Sequence, residues 1–241
     1  MFTGEHMKKS TRQSIQNKLY WRTTKNVWMK YGRHYWWGDP LDVRFYLCKE
    51  LNSVRNKKIL DVGCNAGIIL NSADDSNIKE GFDLDKDAIK IAKIINKDFN
   101  LKADFYVKDV FKSDIKKASF DILILSNVLP SFDYRGYNFE DCKMFVDKCS
   151  SYLKKGGVLY LTTPNGRNSY YRKRSKIFYE QLKSLLEDQY TFEIKSWNPL
   201  PIQLGHILRY VPGWFSVLEF LMNKKFMVRR CLHFYVIGIK T

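Results

Sequence analysis

An α/β fold built on a mostly parallel, doubly wound sheet is predicted by three stretches of this sequence. Lys58-Ile59-Leu60-Asp61-Val62 is an apolar strand that runs directly into the small-residue stretch Gly63-Cys64-Asn65-Ala66-Gly67. Sixteen residues past Gly67, another strand-like run ends in Gly81-Phe82-Asp83-Leu84-Asp85. Phe120-Asp121-Ile122-Leu123-Ile124-Leu125 is apolar almost throughout, as a strand covered on both faces must be. A strand, a loop where backbone can approach a ligand, a helix, and a strand ending in a carboxylate form the arrangement that grips an adenosine ribose through its hydroxyls. The plainer account of the first stretch is an α/β turn with incidental glycines.

The remaining elements follow in order. Asp42 to Leu51 reads as a helix leading into the first strand, and Asp87 to Ile95 as an amphipathic helix. Ala103 to Val107 is strand-like. Ile177 to Leu186 reads as a helix, Tyr190 to Trp197 as a sixth strand, and His233 to Lys240 as a seventh.

Spacing in the glycine loop decides the kind of cofactor. A dinucleotide fold wants Gly-x-Gly-x-x-Gly so that a helix N-terminus meets a pyrophosphate, but the position five after Gly63 is Ile68. Asp61-x-Gly63-x-Asn65-x-Gly67 instead resembles motif I of class I S-adenosylmethionine-dependent methyltransferases. The likeness can be followed over residues 57–241. It departs at Asn65, where the family more often has glycine; Asn is the non-glycine residue that best tolerates positive φ. The resemblance implies a three-layer α/β/α sandwich with a seven-stranded sheet and an antiparallel last strand. It places Asp61, Gly63, Cys64, Asn65 and Gly67 in the cofactor loop. It also gives Asp83 the ribose hydroxyls with Leu84 beside it, and Asp109 the adenine amino group with Val110 beside it. Ser126-Asn127-Val128-Leu129 would end the fourth strand next to the methyl group. Lys154 to Leu161 would be the turn into the fifth strand and the strand itself, and Thr162-Thr163-Pro164-Asn165 resembles the turn of relatives acting on quinone precursors, small metabolites and cell-surface glycan intermediates.

Length and composition bound the rest. The 241 residues fit one such domain, residues 57–241, preceded by a basic, aromatic cap over residues 1–56. Five cysteines occur without a CxxC pair or regular framework, which argues against a zinc site and an extracellular disulfide scaffold. Residues 1–16 are polar and charged with no apolar core of a secretory signal, so the cytoplasm is the expected location.

The net charge of +16 is unevenly spread. Residues 1–56 carry 11 Lys/Arg against 4 Asp/Glu, residues 57–165 carry 17 against 16, and residues 166–241 carry 13 against 5. By the resemblance, the basic segments surround the substrate mouth. That favours an anionic partner: a phosphorylated small molecule, a lipid-linked pyrophosphate, a membrane or RNA. Solvated lysine-rich faces account for the same charge.

Three segments bear on the acceptor. Tyr20-Trp21, Trp28-Met29-Lys30-Tyr31 and His34-Tyr35-Trp36-Trp37 suit a lid with flat apolar walls, with Arg22, Arg33 or Arg44 available to an anion, or simply a cap helix docked by its aromatics. The run Tyr170-Tyr171-Arg172-Lys173-Arg174-Ser175-Lys176 can touch phosphates or begin a solvated helix. Residues 197–230 form an insertion whose apolar run, Ile207 to Met222, is broken by Pro212-Gly213 and holds Arg209 and Glu219. It therefore cannot be a spanning helix of ~20 apolar residues. A pocket lid, a dimer contact, or peripheral membrane contact through residues 207–230 are its expected uses.

Methyl transfer from a sulfonium is an in-line displacement, so a dedicated base is optional. His34 and His206 are the candidates, because both fall in segments expected at the mouth. The fourth strand lacks the Asn/Asp-Pro-Pro-aromatic motif of base-amine methyltransferases, and no Pro-Cys pair provides a cytosine nucleophile. The expected function is methyl transfer, at oxygen, to a small or lipid-linked anionic acceptor. An RNA-directed methyltransferase, or a non-catalytic RNA- or partner-binding protein on the same fold, is the alternative.

Overall fold

The computed structural model describes residues 43–129, 138–167, 177–197, 231 and 233–241. The readings made for the N-terminal aromatics with His34, for the basic run 170–176, and for residues 198–230 with His206 lie outside the described residues.

Seven strands form one sheet: β1 (Lys58–Val62), β2 (Ile78–Asp83), β3 (Asp104–Val107), β4 (Phe120–Ser126), β5 (Leu153–Pro164), β6 (Tyr190–Trp197) and β7 (His233–Lys240). Their order is β3-β2-β1-β4-β5-β7-β6. Pairings β1 to β2, β1 to β4, β2 to β3 and β4 to β5 are parallel, whereas β7 runs antiparallel to both β5 and β6. The order turns back between β1 and β4, and in an open α/β sheet a ligand binds outside the carboxyl ends of the strands at that switch point.

Strand alternation divides the core into two layers. On one face Ile59, Ile122, Ile124 and Tyr235 pack with Leu47 and Leu51 of α1 (Val43–Asn52) and with Ile68 and Leu70 of α2 (Ile68–Ser72). Ile89 and Ala92 of α3 (Lys86–Phe99) join the same face. On the other, Leu60, Leu123, Leu125, Leu161 and Val236 meet Phe145 and Val146 of α4 (Phe139–Ser150) and Leu182 of α5 (Tyr179–Ser184). The central strands β1, β4, β5 and β7 thus supply both layers, and residues two apart face the same one.

Local chemistry sets the helix ends. Asp85 caps α3 by accepting from the amides of Asp87 and Ala88, and Asn100 ends it in the left-handed region, so α3 outruns the expected span at both ends. Asn138 and Asp141 form a reciprocal capping box on α4. Helix α5 begins two residues later than expected, where Phe178 is extended and the Ile177 carbonyl accepts from the Gly166 amide at 2.9 Å, and it ends two residues early at Ser184. The turn expected before the fifth strand is instead carried inside β5, where the register with β4 shifts and Gly156 takes φ 73°.

Candidate cofactor site

The loop after β1 is shaped by its backbone. The amides of Gly63 and Cys64 both donate to the Phe82 carbonyl, at 2.8 and 3.1 Å, which binds the loop to the end of β2. Gly63 and Gly67 both stand at φ 73°. A Cβ at Gly63 would collide with the Val128 side chain, and one at Gly67 with the Phe105 ring. Only glycine lets the loop press this closely against the ends of β4 and β3. Asn65 takes φ 48°, and its side-chain oxygen accepts from the Ala66 amide at 2.7 Å, so the departure from glycine leaves the loop intact. The Cys64 thiol is buried beside Gly81, and burial pushes its pKa well above the usual thiol range, with Asp61 and Asp83 adding to the shift. It presents backbone to the site.

Asp83 closes the loop from the neighbouring strand. One carboxylate oxygen accepts from the Asn65 amide at 2.8 Å and the other from the Asp85 amide at 2.9 Å. Each oxygen keeps a further lone pair, which is what two ribose hydroxyls require. Leu84, 56% exposed, follows directly. Beyond β3, Asp109 accepts from the Phe111 amide at 2.9 Å and so fixes the 3-10 turn Val110–Lys112, while Val110 is buried against the α4 layer. Asp83, Leu84, Asp109 and Val110 thus lie at the carboxyl ends of the adjacent strands β2 and β3, as expected.

Asp61 is the least comfortable residue of the set. It lies opposite Gly81 and Ile124, is 1% exposed, and neither carboxylate oxygen has a hydrogen-bond partner. Burial, and secondarily the Asp83 carboxylate, push its pKa up to about 8. A buried carboxylate with no partner is a group built for something that arrives.

At the end of β4 the Ser126 hydroxyl pairs with that of Thr162 at 3.0 Å, and Asn127 takes φ 57° while its amide donates to the Thr162 carbonyl at 2.8 Å. Asn165 of the Thr-Pro-Asn turn is 1% exposed. Its amide nitrogen donates to the Cys231 carbonyl at 3.0 Å, and its side-chain oxygen accepts from the Arg167 amide at 3.0 Å. That turn is therefore a tie between the connection after β5 and the one before β7. Sequence reasoning missed this tie, the Asp83 clamp and the fillers Val128 and Phe105. The only signal for the fillers was the pairing of bulky side chains with the two glycines.

Two features fit S-adenosylmethionine: a close-approach glycine loop facing a carboxylate with spare acceptor capacity, and a buried unpaired carboxylate suited to a cationic ligand. A family model described as a methyltransferase domain matches residues 53–208. The Escherichia coli ubiquinone biosynthesis O-methyltransferase is 25% identical over 179 residues, 73% of this chain and 61% of that protein. A Methanocaldococcus jannaschii protein described as a protein N5-glutamine methyltransferase is 28% identical over 139 residues, 51% of this chain and 70% of that one. Among solved structures, a SAM-dependent methyltransferase from Archaeoglobus fulgidus superposes with a TM-score of 0.53 at 16% identity, covering 83% of this chain and 93% of its own. The fold, the loop and the family match converge: this chain belongs to the methyltransferase-domain family and is a class I, Rossmann-like S-adenosylmethionine-dependent methyltransferase.

Proposed function

We propose that the enzyme transfers its methyl group to a hydroxyl oxygen of a small or lipid-linked anionic acceptor. The observation that carries this reading is the reach of the alignment. Similarity to the Escherichia coli ubiquinone O-methyltransferase extends over 73% of the chain and to such enzymes of three other bacteria over 53% to 55%, against 51% for the glutamine enzyme. The chain spans about six tenths of the length of that O-methyltransferase, so its acceptor is a guide to class only. Excess positive charge in residues 1–56 and 166–241, against the nearly balanced 57–165, supports an anionic acceptor.

Bound S-adenosylmethionine supplies an electrophilic methyl on a sulfonium. The proposed task of Asp61, Gly63, Cys64, Asn65, Gly67, Asp83, Leu84, Asp109, Val110 and Ser126 is to hold it and point the methyl past the end of β4. The Ser126 and Thr162 hydroxyls satisfy one another, which keeps that strand end polar and fixed. His34 or His206 would accept the hydroxyl proton. Residues 207–230 would meet the lipid side of the acceptor at a membrane surface. Among the described residues no helix is long and apolar enough to cross a membrane.

The test is mass spectrometry of cell extracts incubated with enzyme and methyl-labelled cofactor. The expected outcome is label on an O-methyl of a small or lipid-linked anion. Label in RNA, together with RNA affinity that falls steeply between about 50 and 200 mM salt, would replace the proposal with an RNA-directed one.

A further inference from the structure

We infer that Asp61 makes cofactor binding a proton-releasing event: its carboxyl is neutral in the ligand-free protein and gives its proton to solvent when the cationic cofactor binds. The inference rests on the assignment of the Gly63–Gly67 loop as the cofactor site. In the step itself the carboxyl O–H bond breaks, the proton passes to buffer, and the charge left behind is matched by the incoming cation.

Asp61 stands two residues before Gly63, on the same face of the sheet as Asp83, because Asp61 pairs with Gly81 and alternation returns to that face at Asp83. It is 1% exposed, and both oxygens lack any partner. An ionised carboxylate held in that way, beside a second carboxylate, costs several kcal/mol, and the protein avoids the cost by keeping a proton. Among the described residues, the titratable groups facing it are few. Asp83 comes from the end of β2 and the Cys64 thiol from the loop. Its register partners Gly81 and Ile124 bring none, nor do Ile68, Ile69 and Leu70 of α2. On α1, Lys49 sits over the Tyr46 ring, and Glu50 bears on Tyr160 and Tyr235. No described cation therefore neutralises Asp61. S-adenosylmethionine carries two positive groups, the ammonium and the sulfonium, against one carboxylate. A cation within a few ångströms favours the ionised form of a carboxyl by about 1 to 3 pKa units. The direction follows: binding selects the deprotonated state, releases a proton, and strengthens as pH rises towards the ligand-free pKa of about 8.

Calorimetric titration of the full chain with S-adenosylmethionine, in buffers of contrasting ionisation enthalpy, tests this. Work below about pH 6.8 keeps about nine tenths of the cofactor's own amino group charged, so its titration adds little. The wild-type protein should release close to one proton per cofactor, and its affinity should rise about fourfold to eightfold from about pH 5.8 to 6.8. Asp61→Asn should release none and show less than about a twofold change. An infrared band of a neutral carboxylic acid should be present in the ligand-free wild type and vanish on binding, a readout that needs no variant. Binding with no proton release, or equal release by Asp61→Asn, overturns the inference while the cofactor assignment stands. Absence of binding at every pH overturns both.

Discussion

The β1 to β3 side of the sheet and the β4 to β7 side are built by different means. On the first, the connections at the carboxyl ends carry the loop 63–67, the pair Leu84-Asp85 and the stretch Lys108-Asp109, and their polar groups are held by backbone amides: Asn65 to Asp83, Asp85 to Asp83, Phe111 to Asp109. On the second, the connections run over residues 127–138, 165–178 and 198–232, and the last two bring most of the excess positive charge of residues 166–241. A cofactor shared across a family is gripped by geometry that the sheet itself fixes. On the proposed function, the acceptor is left to the segments after β4, β5 and β6, whose sequences can change without altering the strands.

The sharpest way to break this contrast is at Gly67. Gly67→Ala must adopt a left-handed conformation while its methyl meets the Phe105 ring, so cofactor affinity should fall by about 100-fold or more, measured by calorimetry on folded protein. Near-normal affinity would show that backbone approach is not what the loop provides. Asp83→Ala comes next. It removes both the proposed ribose acceptors and the clamp on the Asn65 amide, and a loss of about 30-fold is expected, with Asp83→Asn retaining more. On the other side of the sheet, Asn165→Ala should cost about 1 to 3 kcal/mol of stability by removing the bonds that its side chain makes to the Cys231 carbonyl and the Arg167 amide. It should lower acceptor turnover yet leave cofactor affinity within about threefold. A large cofactor defect there would erase the division of labour.

A further effect concerns pH. The ligand-free folded state holds the Asp61 proton up to about pH 8, whereas the unfolded chain releases it near its ordinary value of 3.8. Its contribution to stability is complete below the unfolded value and is lost as pH climbs to about 8. Asp61→Asn lacks this dependence. Its melting temperature should therefore gain on wild type between about pH 5 and 8, by roughly 2 to 4 °C per kcal/mol relieved. Parallel melting curves across that range would show that Asp61 ionises freely.

Much of this was legible in the chain because the cofactor half is written in backbone requirements. Gly63, Gly67 and a strand ending in Asp83 have few structural alternatives, and the sixth and seventh strands matched the alternation at both ends. The shortened α5 was not legible, since the Gly166 to Ile177 bond is a contact between distant turns that periodicity cannot register. Nor was the role of Asn165. A Thr-Pro-Asn turn looks alike whether its amide faces a substrate or, as here, the Cys231 carbonyl. Asp61 was recognisable as part of a motif, but its isolation depends on Gly81 and Ile124 beside it, which only strand register brings together.

The placement of β7 between β5 and β6 has a consequence for how the chain is made. β6 pairs with β7 alone, through residues 190–197, and β7 also supplies the outer partner of β5. While the segment beyond residue 232 is still inside the ribosome, the β3-β2-β1-β4-β5 portion can already zip up in parallel, but β5 keeps an edge of unpaired backbone groups and β6 lacks the strand it pairs with. The nascent protein thus passes through a stage with an exposed strand edge, the kind of surface that recruits holdase chaperones or sticks to another chain. Insertion of one antiparallel strand covers the β5 edge and the inner edge of β6 in a single event, leaving β3 and β6 as the edges of the finished sheet.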